Sequence, residues 1–194
     1  MSSFYTPDEL KTLGFKSFGK KVLISRNASL YGIEKIEIGD NVRVDDFCIL
    51  SGKIKLGSHI HISAGTYLFS GDAGIEMQNF SGLSPRCTVF AISDDFSGQF
   101  MIGPLVDDIY RSLSSAKVTF KKHTQIGSGS IILPGVIIEE GSIVGAKSLV
   151  IKSTEKFGIY VGTPAKRIKS RCEDLLVLET QFLKKLGKEK GENS

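Results

Sequence analysis

The sequence is poor in the residues that usually announce a function. Its 194 residues include only three histidines and three cysteines, and the formal net charge is a mere +4. That charge is too weak to imply nucleic acid by itself, although basic residues crowd near the C-terminus. No stretch approaches the roughly 18 apolar residues of a membrane span. The N-terminal MSSFYTPDELK has no basic segment followed by an apolar one, so no secretory signal is visible. Cys48, Cys87 and Cys172 are odd in number and widely spaced. They read as reduced thiols of a cytoplasmic protein rather than disulfide partners or metal ligands, with a reactive nucleophile as the minority reading. A chain of this length makes one domain with a sizeable core.

What is present is a period of six. Phe120, Ile126, Ile132, Ile138, Val144 and Val150 are all apolar, and so are Ile38, Val44, Leu50, Leu56, Ile62 and Leu68. Two unbroken runs of six are not chance in a chain that is 41% hydrophobic. Four residues after the first five members of the later comb come Thr124, Ser130, Val136, Ser142 and Ser148, small or β-branched without exception. A helix needs apolar spacings of three and four, and a plain amphipathic strand alternates without turns. A strict six with Gly127, Gly135, Gly141 and Gly145 in the gaps predicts a hexapeptide β-helix, in which three short parallel strands make one triangular coil. Cys48 and Cys87 fall in the small-residue slot, which points into the prism.

Along the chain, Thr6-Pro7-Asp8-Glu9 predicts a short helix stopped at Gly14, suited to covering the open apolar end of the coil stack. Residues 1–20 form that cap, residues 21–169 the β-helix, and residues 170–194 a C-terminal helix and tail. The first coils are irregular at Lys20, Arg26 and Gly32, as terminal repeats are. After Leu68 the register slips by three to Met77, Leu83 and Val89, and Ser70-Gly71-Asp72-Ala73-Gly74 reads as a small corner loop. The comb then vanishes until Phe120. This excursion, residues 94–117, carries Phe96, Phe100, Met101, Ile102, Leu105, Ile109, Tyr110 and Leu113, too apolar to hang in water. Long loops in compact domains are usually functional, so it is expected against another subunit or over a ligand. Glu173 to Leu186 reads as a helix with Leu175, Leu178, Phe182 and Leu186 on one face, and Gly187 to Ser194 as a charged, frayed tail.

The pattern from Gln125-Ile126-Gly127-Ser128 through Val144-Gly145-Ala146 to Gly162-Thr163-Pro164-Ala165-Lys166 resembles the hexapeptide-repeat acyltransferases. The resemblance covers roughly residues 22–171. It implies an all-β, left-handed parallel β-helix, a hand that comes from the family because crossover sterics alone favour the right. It also implies a homotrimer with active sites between neighbouring prisms, and acetyl-CoA as acyl donor. Ser128 and Ala146 match places where the family's backbone lines the pantetheine groove. Lys166 and Lys169 match basic positions that face the CoA phosphates, although Lys166, Arg167, Lys169 and Arg171 together also fit a solvated helix entry.

Tyr5-Thr6-Pro7-Asp8-Glu9-Leu10, Asp45-Asp46-Phe47-Cys48-Ile49-Leu50-Ser51-Gly52 and Ser93-Asp94-Asp95-Phe96-Ser97-Gly98 look like the acyltransferases of O-antigen clusters, among them those acting on dTDP-4-amino-4,6-dideoxyglucose. This implies N-acetylation of a nucleotide-linked amino-deoxysugar in O-antigen or polysaccharide biosynthesis. The catalytic His of the sugar O-acetyltransferase branch would fall where Asp94-Asp95 stands, and the His-Asp pair of a second branch would fall at Gly52-Lys53. Asp94 or Asp95 is therefore one candidate to take the proton of the attacking amine or to orient it. His61, at an outward slot in His61-Ile62-Ser63-Ala64-Gly65, is the other. Asp-Asp pairs are also common turn formers, and an outward His is commonly an interface hydrogen-bonder. A missing base favours an amine over a hydroxyl acceptor, because a neutral amine attacks unaided and sheds its proton afterwards. His59 and His123 read as corner surface residues. With His61 they do not make the three-His zinc site of a γ-class carbonic anhydrase, so no metal is expected. A sugar O-acetyltransferase and a non-catalytic scaffold trimer are the remaining alternatives.

Overall fold

The computed structural model describes residues 3–191. The comb becomes coils. Ile36 pairs with Ile54, Val42 with Ile60 and Ile49 with Tyr67, all in parallel and all 18 positions apart. Three flat faces result, and the chain is a left-handed parallel β-helix of about seven turns. The sixth-residue column is its axis. From Val44 through Leu50, Leu68, Val89, Phe120 and Ile126 to Ile138, these side chains have no exposed surface, each contributing about 1.5–3 kcal/mol of apolar burial. The small slots lie beside the corners, where a buried hydroxyl meets a turn carbonyl. Ser130 Oγ and Ser148 Oγ both donate to Gly145 O, at 3.0 and 2.8 Å, and Ser142 Oγ donates to Glu155 O at 2.6 Å. Cys48 and Cys87 occupy these slots with no exposure, and Cys172 is exposed.

Both ends are closed by other structure. Helix α1 (Pro7–Thr12) begins on the expected capping box: Glu9 N–H donates to Thr6 Oγ1, and Thr6 N–H to Glu9 Oε2. It buries Leu10 against the first coil. The first strand, Ser17–Phe18, pairs with Glu37–Ile38, so the β-helix begins inside the capping segment. At the far end Gly158–Val161 pairs antiparallel with Lys166–Ser170, which ends the coiling.

The expected corner loop at Ser70–Gly74 is absent as a loop. Tyr67–Met77 is one unbroken strand of 11 residues running around the corner beside Ile49–Leu56. Its pairing shifts register at Ser51/Gly52 and again at Gly52/Ile54, and bulging absorbs the three extra residues within the ladder.

One corner carries residues in the left-handed backbone region: Asn41, His59, Phe80 and His123, with φ between 56° and 62°. For non-glycine residues that geometry costs roughly 1–2 kcal/mol each. Stacking and ladder bonds offset it. His59 lies on Phe80 at 4.8 Å and Phe80 on His123 at 5.1 Å, the rings nearly parallel, and His59 N–H donates to Asp40 O. Helix α2 (Leu175–Gly191) docks across this stack, Phe182 meeting both His59 and Phe80 edge-on. The helix starts two residues later than expected and continues into the expected tail, where Lys188, Glu189 and Lys190 are good helix formers between Gly187 and Gly191. Residues 192–194 of that tail lie outside the described residues. His123 is accordingly no bare surface residue, since only 11% of its side chain is exposed.

Candidate active site

The excursion leaves the prism at Ile92–Asp94 and returns at Leu113–Ser115, the two arms pairing antiparallel with Asp94 opposite Leu113. Its length shows in the pairing of the coils on either side. Thr88 pairs with Ile131, 43 positions on, where a plain coil needs 18. Gly71 supplies the seat. A Cβ there would lie 3.1 Å from Ile92 Cδ1, and its φ of +51° is a further reason for glycine. The bulged corner and the base of the excursion are therefore one construction.

Between the excursion and the prism lies a cavity of about 730 Å³. Its walls are apolar: Phe69 and Phe90, stacked with centroids 5.5 Å apart, with Ile92, Leu113 and Leu133, and Phe96 at the rim. Asp94 and Arg111 bring charge into it. Asp94 Oδ1 is buried and has no hydrogen-bond partner among the described residues, and the same is true of Arg111 Nε. The expected pair of aspartates is thereby split. Asp95 turns away and closes its own turn, accepting from Ser97 N–H at 3.2 Å and from Ser97 Oγ. The outer side of the excursion stays apolar and uncovered in the protomer: Leu105 is 100% and Ile109 80% exposed.

His61 does not line this cavity. It stands on a different face of the prism, beside Arg43 and Gly82 in neighbouring coils. Asp45 takes both His61 Nε2 at 2.7 Å and Arg43 Nε at 2.6 Å. Partial burial pushes the Asp45 carboxyl up, but the Arg43 and His61 bonds outweigh it and hold it below the ordinary carboxylate value. His59 and His123, on the corner stack, are elsewhere again.

The expected donor groove follows an edge of the face that carries His61. Ser128 and Ala146 are exposed on successive coils, and Lys147 N–H donates to Ser128 O at 2.9 Å. A Cβ on Gly127 would come within 2.4 Å of Ala146 N, so only glycine permits this approach. Lys166 and Lys169 lie exposed on the terminal hairpin, not at a helix entry, and neither makes an ion pair among the described residues. Arg167 and Arg171 are engaged: Arg167 with Ser170 and Glu155, Arg171 with the carbonyls of His123 and Gly141. The four basic residues thus divide into two that hold the fold and two without a side-chain partner among the described residues. The residues present fit a thioester carrier with an extended arm and an anionic end.

Ser84 was not singled out from sequence. It is half-buried at the position equivalent to Gly127 one coil earlier; Ser84 N–H donates to Ile126 O, and its hydroxyl accepts from Gln125 Nε2 at 3.0 Å. A serine beside Pro85 at a corner has no distinguishing pattern of its own.

Residues 122–148 match the family described as the hexapeptide repeat of succinyl-transferase. The dTDP-4-amino-4,6-dideoxy-D-glucose acyltransferase of Escherichia coli is 41% identical over 177 residues, covering 90% of this chain and 92% of that protein. AntD, an N-acyltransferase from Bacillus cereus, superposes with a TM-score of 0.93 at 50% identity, covering 95% of this chain and 99% of AntD. That structure is of its S84C variant with dTDP-4-amino-4,6-dideoxyglucose and coenzyme A. A D94N variant has been solved with dTDP and coenzyme A, and another AntD complex holds 3-hydroxybutyryl-CoA. A maltose O-acetyltransferase from Clostridium difficile shares the fold alone, at 21% identity and a TM-score of 0.56. The chain belongs to the hexapeptide-repeat, CoA-dependent N-acyltransferases that include dTDP-4-amino-4,6-dideoxy-D-glucose acyltransferase.

Proposed function

We propose that the enzyme moves an acyl group from coenzyme A, acetyl in the simplest case, to the 4-amino group of a dTDP-linked 4-amino-4,6-dideoxyhexose, with Asp94 receiving the amine proton. The observation that carries this is the buried, unpartnered Asp94 Oδ1 in an apolar cavity. A carboxylate oxygen kept from water and from protein donors is available to a substrate N–H. The relatives' acceptor, and the presence here of a serine and an aspartate bearing the same numbers, Ser84 and Asp94, as those replaced in AntD, support the same reading. The cavity's apolar wall suits a sugar that lacks a 6-hydroxyl.

The chemistry follows. The amine lone pair attacks the thioester carbonyl carbon, the carbon–sulfur bond breaks, and the thiolate departs. Asp94 accepts the proton from nitrogen and returns it to the leaving sulfur or to water. Gly127, Ser128 and Ala146 line the arm of the donor, Lys166 and Lys169 face its phosphates, and Ser84 offers a hydroxyl beside the groove. The donor groove and the Asp94 cavity lie on different faces of one prism, so the complete site forms between neighbouring copies, in a homotrimer whose contacts cover the apolar excursion. In that arrangement His61, held by Asp45, belongs to the interface. The setting is cytoplasmic O-antigen or related polysaccharide synthesis. Thiol release from acetyl-CoA with dTDP-4-amino-4,6-dideoxyglucose, and none with its 4-hydroxy counterpart, is the expected result. Equal rates on both would favour an O-acyltransferase and remove the amine from the account.

A further inference from the structure

Arg111 sits on the return arm of the excursion with only 11% of its side chain exposed. Its Nη1 is 3.5 Å from Val106 O and 3.8 Å from Asp108 Oδ1, both at the outer limit of a useful contact. Asp108 is 97% exposed, so water screens that pair. The buried Nε has no partner. A guanidinium removed from water needs an anion, and without one its desolvation is left uncompensated. Asp94 is in the same cavity and also short of a partner, yet the two form no ion pair among the described residues. Opposite charges sharing a cavity without touching leave room for a ligand carrying an amine at one end and an anion at the other. Phe69, Phe90 and Leu113 offer no side-chain acceptor, and the two lining residues that could, Ser93 and Asp94, make no bond to Arg111 among the described residues, so compensation for the buried Nε is left to that ligand.

We infer that Arg111 binds an anionic oxygen of the acceptor's diphosphate and so aims the sugar's amine at Asp94. This rests on the cavity being the acceptor site. On a 4-amino sugar nucleotide the amine and the diphosphate leave opposite ends of the pyranose ring, which matches two charged side chains kept apart. A sugar hydroxyl is neutral and would leave the buried cation uncompensated. The donor's phosphates are assigned above to Lys166 and Lys169, which do not line this cavity.

The test is calorimetric titration of dTDP, without sugar, and separately of coenzyme A into the wild type, Arg111→Gln and Arg111→Lys. Arg111→Gln is expected to weaken dTDP on the order of 100-fold while leaving coenzyme A affinity in place and the melting temperature of the free protein no lower than wild type. Arg111→Lys recovers part of the loss, and the acceptor KM rises while the acyl-CoA KM does not. Unchanged dTDP affinity in Arg111→Gln overturns the assignment, even if the KM for the complete sugar nucleotide rises, because Arg111 would then be reading the sugar. Should Arg111→Gln fail to fold, phenylglyoxal labelling of the wild type decides: dTDP protection of Arg111 supports the assignment and labelling at an undiminished rate overturns it. A wild type that binds coenzyme A but not dTDP would instead remove the acceptor reading itself, and this assignment with it.

Discussion

Glu179 Oε2 accepts a hydrogen bond from His123 Nε2 at 2.8 Å, joining α2 to a corner residue 56 positions earlier. Lys122 Nζ reaches the other carboxylate oxygen at 3.2 Å. Partial burial pushes the Glu179 carboxyl up, but these two bonds hold it below its ordinary value of 4.5. A depressed carboxyl stabilises the fold above its unfolded value, and that contribution disappears as pH falls through the lower folded value. Glu179→Gln is expected to speed amide exchange in α2 about tenfold at neutral pH, with little change in the β-helix. Wild type should approach the variant as pH drops below about 4.5. Equal protection of α2 in both proteins at pH 7 would show that the contact does not hold the helix.

Glu9 behaves in the same sense at the other end. Arg26 and the Thr6 cap lower its carboxyl to about 2 from an ordinary 4.5. Stability from this contact is complete above about 4.5 and is lost progressively toward about pH 2. A scan of melting temperature against pH should therefore fall more steeply across that window for wild type than for Glu9→Gln. Parallel curves would contradict it.

The thiols sort by slot. Desolvation pushes Cys48 and Cys87 up to about 11, so at pH 8 almost none of either is thiolate. Native protein should release one equivalent of thionitrobenzoate quickly, from Cys172, and three only after denaturation. Rapid release of three from folded protein would mean that the prism opens readily.

Of Lys166, Arg167, Lys169 and Arg171, the two lysines have no side-chain partner among the described residues. Replacing both by Ala is expected to raise the KM for acyl-CoA about tenfold, more at low salt than at high salt, with kcat nearly unchanged. Replacing Arg171 should act differently, lowering the melting temperature because it holds the His123 and Gly141 carbonyls. An acyl-CoA KM indifferent to Lys166 and Lys169 would remove them from the donor site.

The coil stack was legible because its cause is periodic. A residue that points inward every sixth position must be apolar, and one beside a corner must be small, so Phe120 to Val150 announces the fold. Tertiary geometry that breaks the period was not legible. The three residues around Gly71 could be counted, yet only the strand register showed them absorbed as a bulge that seats Ile92. Asp94 and Asp95 look alike in sequence, and two hydrogen bonds from Ser97 separate a turn residue from a cavity carboxylate. Arg111 drew no attention because a lone arginine in a loop has no pattern; its burial comes from the excursion folding back. His123 looked like a corner residue on the surface because nothing local reveals that α2 returns to cover it.

The most direct measurement is the turnover of Asp94→Asn with saturating acyl-CoA and dTDP-4-amino-4,6-dideoxyglucose, alongside calorimetric affinities for both. With Asp94 as proton acceptor, kcat falls by about 10²- to 10⁴-fold while CoA and dTDP still bind. A variant that binds both and turns over at the wild-type rate would contradict the account.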